Sequence, residues 1–230
     1  MLHYTGMADE DAALDWLCHP EAVVSSHYVV REGGGVVQLV DEGLRAHHAG
    51  AGSWRGDDDM NSRSVGIEIC NPGHQGAEDR SPPPFVDGQI NAVISLVLDI
   101  RDRNGIESWN VIGHSDYAPG RKIDPGEAFP WRRLGEAGAA LFVEAAPLRA
   151  GTFFQEGDEG EPVRALQTLL RAVGYGVDPH GRFDERTRVV VKAFQQRHRP
   201  SRVDGIADPS TVETLRDWAR SLPSEALLLS

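Results

Sequence analysis

The sequence predicts an α/β domain followed by a small all-helical one. Three observations carry this. As far as His114, short segments rich in β-branched and aromatic residues alternate with turn residues. One longer segment among them has apolar residues at helical spacing. From Glu161 onward only the helical period is present, with a partly repeated motif.

Taken in order, Met1-Leu2-His3-Tyr4-Thr5 begins as though inside a strand. No basic region followed by an apolar core precedes it, so no export signal is read. The expected location is the cytoplasm for the chain as it stands, and the periplasm or cell envelope if residues precede Met1. Val23 to Val30 (VVSSHYVV) and Val36 to Val40 (VVQLV) flank Gly33-Gly34-Gly35 and read as a hairpin. Ser64 to Cys70 (SVGIEIC) is a further strand, ended by Asn71-Pro72-Gly73. After Pro82-Pro83-Pro84, Ile90, Val93, Ile94, Val97, Leu98 and Ile100 place an apolar stripe on a helix that Asn104-Gly105 stops. Trp109 to His114 (WNVIGH) reads as a strand ending in a histidine.

This organisation predicts one domain over 1–146, a linker over 147–156 and a helical domain over 157–222. The linker mixes proline, glycine and acidic residues around Phe153 and Phe154, which suggests that it packs against something. In the helical part, Gly181 to Thr187 and Gly205 to Thr211 share the spacing G-x-x-D-x-x-T. Asp184 and Asp208 are placed to cap helices, and Pro209 sits at a first helical position, where its missing N–H costs nothing. Three short helices are expected to share one small core.

The 230 residues suit a mid-sized domain plus a small one. A net charge of -12 excludes the basic footprint of a nucleic-acid binder and disfavours an anionic membrane surface. No apolar run approaches a membrane span, and insertion is not expected. Cys18 and Cys70 read as two buried thiols rather than a bridge or a thiolate metal site. A monomer is expected.

The segment Gly113 to Pro125, GHSDYAPGRKIDP, holds two potential metal ligands, His114 and Asp124, flanking a Pro119-Gly120 loop. Lys122 stands two residues before Asp124 and is placed to stabilise negative charge. Spacing alone leaves a structural histidine and an Asp-Pro turn as alternatives.

That segment closely resembles the ligand loop of the type-2 N-acetylmuramoyl-L-alanine amidases, whose fold is shared with phage amidases and animal peptidoglycan-recognition proteins. LHYTGM at 2–7, SSHYVV at 25–30, HAG at 48–50 and NSRSVGIEI at 61–69 match in the same order. The resemblance covers residues 1–134 and implies a central mixed β-sheet flanked by helices. It also implies one Zn2+ per chain, held by His3, His114 and Asp124, with aspartate as third ligand as in the bacterial branch. Two histidines, a carboxylate and an open position make a catalytic site, where zinc lowers the pKa of water. Glu68 matches the general base and Lys122 the oxyanion-stabilising residue. His27 is placed beside the site and off the metal, and His48 near the substrate or behind a ligand. Trp54 and Asn61 are candidates for the substrate cleft, although Trp54 also reads as a packing residue.

Residues 157 to 220 resemble the three-helix peptidoglycan-binding domain of cell-wall hydrolases through Leu166-Gln167, Gly174-Tyr175, Phe183-Asp184, Ala193-Phe194-Gln195 and Asp204-Gly205. The implied function is zinc-dependent cleavage of the bond between N-acetylmuramic acid and L-alanine, in peptidoglycan or soluble muropeptides. The alternative is a non-catalytic peptidoglycan-recognition protein, in which a ligand is typically lost. Here all three are present.

Overall fold

Leu2-His3-Tyr4 and Ile67-Glu68-Ile69 both set a polar residue between residues of larger apolar surface. Neighbouring side chains on a strand point to opposite faces, so each segment can bury one face and offer the other. In the computed structural model, which describes residues 1–74 and 81–227, they are the strands β1 (Leu2–Tyr4) and β4 (Ile67–Ile69). With β2 (Tyr28–Val30) and β3 (Val36–Gln38) they form one sheet in the order β1-β4-β2-β3. β4 is parallel to both neighbours and β3 is antiparallel to β2, so the sheet is mixed, as expected.

The register decides what shares a face. His3, Glu68 and Val29 are partners across three strands, and their side chains project to one side. Leu2, Ile67, Tyr28, Ile69 and Val30 occupy the other and are buried.

The first compact unit comprises Met1–Ala51, Asp59–His114 and Asp124–Leu141. Its helices are α1 (Glu10–Leu17), α2 (Met60–Arg63) and α3 (Asp87–Asn104). Of the four-residue α4 (His114–Tyr117) only His114 belongs to this unit, and α5 (Trp131–Glu136) comes after it. α3 packs on β2 and buries Ile90, Val93, Val97 and Ile100 of the predicted stripe, while Ile94 is half-buried and Leu98 is exposed. Each such side chain contributes about 1.5–3 kcal/mol when fully buried. Gly105 ends the helix at φ 62°, a left-handed conformation that glycine adopts without cost. Gln89, buried in the first turn of α3, donates to the carbonyls of Val30 and Cys70, satisfying backbone at the strand ends.

Three expectations are corrected here. The segment at 23–30 is strand only from Tyr28, and Val23 and Val24 are exposed, because pairing with β3 and β4 begins there. Trp109 to His114 is not a strand. Ser108–Asn110 is a 3-10 turn, and the segment after it touches β1 through one isolated bridge, Leu2 with Gly113, where Leu2 N–H donates to Ile112 O. Cys18 is exposed, since it caps the C-terminus of α1 on the surface, while Cys70 is buried and both thiols are free. Helix α1 was not foreseen. It buries only Ala13 and so shows no apolar stripe, although Asp9 caps it by accepting from the N–H groups of Asp11 and Ala12.

The second unit comprises Gly52–Asp58, Ser115–Ile123 and the chain from Phe142. It contains the three predicted helices, α6 (Glu161–Val173), α7 (Glu185–His198) and α8 (Pro209–Ser221). Asp184 and Asp208 cap the last two, each accepting from the N–H and the hydroxyl of a threonine three residues on. Leu166, Leu170, Val190, Phe194, Leu215 and Trp218 fill its core. Among the described residues, no helix is long and apolar enough to cross a membrane.

Candidate metal centre

Three side chains from distant parts of the sequence meet at one point. His3 comes from β1, His114 from the start of α4, and Asp124 from the turn into Pro125. His3 Nδ1 lies 2.9 Å from His114 Nδ1 and 2.9 Å from Asp124 Oδ2, and the latter two are 3.0 Å apart. All three residues are buried. A tetrahedral ion with bonds of 2.0–2.1 Å separates its ligand atoms by about 3.3 Å, so small side-chain rotations suffice to admit one.

The outer ring nitrogens show which atoms face the cluster. His114 Nε2 donates to Ala49 O at 2.8 Å, which leaves its Nδ1 lone pair facing the cluster. His3 Nε2 lies 3.0 Å from His48 Nδ1. With Nδ1 of His3 turned to the cluster, that Nε2 carries the proton and donates to His48. The remaining nitrogen of His48 then holds its own proton, 3.4 Å from Ser64 Oγ. Outer partners of this kind fix the tautomer and orientation of metal-binding histidines. Three lone pairs aimed at one buried point fit a cation.

Electrostatics agree with that donor set. Burial, then repulsion from His114, lowers the pKa of His3 to about 4 despite the opposing pull of Asp124, so His3 is neutral at physiological pH. Burial would raise the pKa of Asp124, but His114 and His3 hold it well below the usual carboxylate range. His48, desolvated and facing His3, is held far below its ordinary value and stays a neutral relay.

Glu68, half-buried, is beside this cluster by register: it pairs with His3 on β1 and Val29 on β2. Its Oε2 is out of contact with solvent.

Residues 1–127 match the family described as N-acetylmuramoyl-L-alanine amidase. The chain belongs to that family. A second match, to a peptidoglycan binding domain, covers residues 159–215 of this amidase. It is 38% identical over 221 residues to the N-acetylmuramoyl-L-alanine amidase AmiD of Escherichia coli, covering 92% of this chain and 78% of AmiD. It is 34% identical over 131 residues to the 1,6-anhydro-N-acetylmuramyl-L-alanine amidase AmpD of Enterobacter cloacae, covering 57% of this chain and 66% of AmpD. Among solved structures, AmiD from E. coli in complex with the substrate anhydro-N-acetylmuramic acid-L-Ala-D-gamma-Glu-L-Lys superposes with a TM-score of 0.79. That pair is 33% identical and covers 95% of this chain and 87% of the other.

The other expected site residues of the amidase fall in three places. His48 and Asn61 stand behind the cluster. Asn61 Oδ1 accepts from Ala49 N–H at 2.8 Å and so holds the carbonyl that orients His114. The His48-Ala49 pair therefore supplies an outer partner to both histidines of the cluster. His27 lies against His48, ring centroids 5.8 Å apart, and is off the cluster. Its Nδ1 accepts from Gly66 N–H and its Nε2 donates to Leu44 O. Gly66 has no room for a side chain, because a Cβ there would sit 2.5 Å from the His48 ring. Lys122 and Trp54 belong to the second unit. Lys122 is exposed, with its N–H on Ala118 O, and Trp54 is buried against Tyr175 and Trp218 as a packing residue.

Sequence reasoning missed His74. Its ring joins Tyr4 on β1 to Glu127, three residues after Asp124, with Tyr4 Oη at 3.0 Å from Nδ1 and Glu127 Oε2 at 3.1 Å from Nε2. Burial works against ionising Glu127, yet the hydrogen bond from His74 and its other partners bring its pKa to about 2. The Asn71-Pro72-Gly73 turn signal concealed this histidine, which reads locally as a loop residue.

His48→Ala is expected to weaken the affinity of the cluster for a divalent metal about 10–100-fold by freeing the outer nitrogen of His3. Competition with a chromophoric chelator measures this. An unchanged affinity would reduce His48 to a packing residue.

Proposed function

We propose that this amidase hydrolyses the amide bond between N-acetylmuramic acid and L-alanine with a zinc ion held by His3, His114 and Asp124. The supporting observation is the buried convergence of two imidazole nitrogens and one carboxylate oxygen, within 4.8 Å of one another, next to Glu68 in the sheet. Two histidines and a carboxylate form the ligand set of catalytic zinc sites, which keep a position open. Imidazole with carboxylate suits zinc better than the hard cations, which prefer oxygen alone.

Zinc bound there lowers the pKa of water and polarises a carbonyl. The remaining steps fall to side chains. Glu68 takes the proton of the attacking water and returns it to the departing amine of L-alanine, which leaves as a neutral group. Lys122, exposed and cationic, stabilises the negative charge that develops on the carbonyl oxygen. His48, Ala49 and Asn61 keep His3 and His114 in one tautomer and one orientation. The AmiD complex and the name of AmpD support anhydro-muropeptides as substrates, and the peptidoglycan binding domain supports wall-derived ones.

The test is metal analysis coupled to mass spectrometry of products from anhydro-muropeptides and from intact sacculi. One zinc per chain is expected, with release of peptides beginning in L-alanine that stops on chelation and returns with zinc. A zinc-loaded protein that binds muropeptide without releasing peptide would instead be a recognition protein.

A further inference from the structure

The stretch Ser115–Ile123 runs between the second and third ligands and carries Lys122, yet it clusters with the helical unit. One face of α7 accounts for this. Arg186 Nη1 donates to Pro119 O at 3.2 Å while its Nε and Nη2 hold Gly176 O. Gly120, at φ +82°, lies so near Val189 that a Cβ would be 3.1 Å from its methyl groups. Arg197 Nη1 donates to Asp116 Oδ2 at 2.9 Å, and Tyr175 Oη donates to Asp116 Oδ1 at 2.6 Å. Arg186, Val189 and Arg197 keep to the helical period and share that face.

The Asp116–Arg197 pair has both side chains only 1% exposed. A buried ion pair gains little stability over an apolar pair, since desolvation offsets attraction. What it supplies is geometry, because a carboxylate held by two donors from different elements has one position. From Asp116 the loop proceeds to Ala118, whose carbonyl accepts from Arg121 and Lys122 N–H, closing the turn that presents Lys122.

We propose that Asp116 and Arg197 are positioning residues of the amidase, through which the helical unit, in addition to any wall binding, sets the conformation of the loop that presents Lys122. This rests on the amidase reading for the role of Lys122.

The experiment uses the full-length, zinc-loaded protein. Arg197→Met is expected to lower kcat on anhydro-muropeptide about tenfold or more, with KM changed less than about twofold, because a displaced Lys122 is missed chiefly in the transition state. Amide exchange at Arg121 and Lys122, read by mass spectrometry, is expected to quicken about tenfold while exchange in the sheet is unchanged. In a Lys122→Ala background the same substitution is expected to change kcat less than about twofold, since both act through one group.

Equal losses in the two backgrounds would overturn the proposal. So would a lower melting temperature with kcat and loop exchange as in the parent. Should Arg197→Met fail to fold, Tyr175→Phe removes one hydrogen bond to Asp116 and keeps the ring. A kcat loss of about threefold that vanishes without Lys122 is then expected, and an unchanged kcat and loop exchange would overturn the proposal. If the parent protein releases no product at all, the amidase reading has failed, and loop exchange still reports on the positioning pair.

Discussion

Glu68→Gln is expected to keep one zinc per chain and to lose about 10²- to 10⁴-fold in kcat, the range that a positioned general base supplies. Glutamine has the shape of glutamate, so the register with His3 and Val29 and the packing of Ile67 and Ile69 on the opposite face are preserved. Glu68 is not among the three converging ligand atoms, so metal content is insulated from the change. The amide side chain accepts no proton at neutral pH, and the loss falls on kcat with KM little altered. Parallel zinc analysis and steady-state kinetics on a muropeptide decide the matter. Full turnover in this variant would remove Glu68 from the mechanism.

Asp124→Ala is expected to fail one step earlier, by releasing the metal. Asp124 Oδ2 is within 3.0 Å of both imidazoles, and it is the only anionic ligand of the three. Burial leaves His3 neutral at physiological pH, so without the aspartate a divalent cation enters a desolvated corner whose remaining donors are two neutral imidazoles. Affinity should fall by more than about 100-fold, beyond what the loss of an outer partner costs. Activity at limiting zinc should vanish. Calorimetric titration with zinc separates this outcome from Glu68→Gln, which titrates as the parent does. If Asp124→Ala bound zinc as tightly as the parent, a different third ligand would be required.

Much of this protein is legible locally. Met1 to Thr5 and Ser64 to Cys70 read as strands from their own residue types, and the family resemblance singled out His3 and Glu68 within them. Asp184 and Asp208 announce their helices because capping is settled within three residues. The stripe from Ile90 to Ile100 does the same for α3. GHSDYAPGRKIDP, through its family resemblance, pointed to His114, Lys122 and Asp124.

The folded chain was required for features of another kind. His3 and His114 are 111 positions apart, and no local pattern records that their Nδ1 atoms lie 2.9 Å from each other. The motif His48-Ala49-Gly50 suggested proximity to the site. Only the structure shows that a ring nitrogen and a carbonyl from adjacent residues hold the two histidines of the cluster. His74 was hidden because its partners, Tyr4 and Glu127, lie 70 and 53 positions away. No local pattern marks Asp116, whose partner Arg197 lies 81 positions on. Sequence by itself determined the amphipathic helix α3, the three C-terminal helices with the caps Asp184 and Asp208, and the residue types of the chemistry, because these depend on neighbours a turn or a strand pair away. Tertiary structure alone decided which buried polar groups meet, because each must find a partner wherever the packed chain brings one.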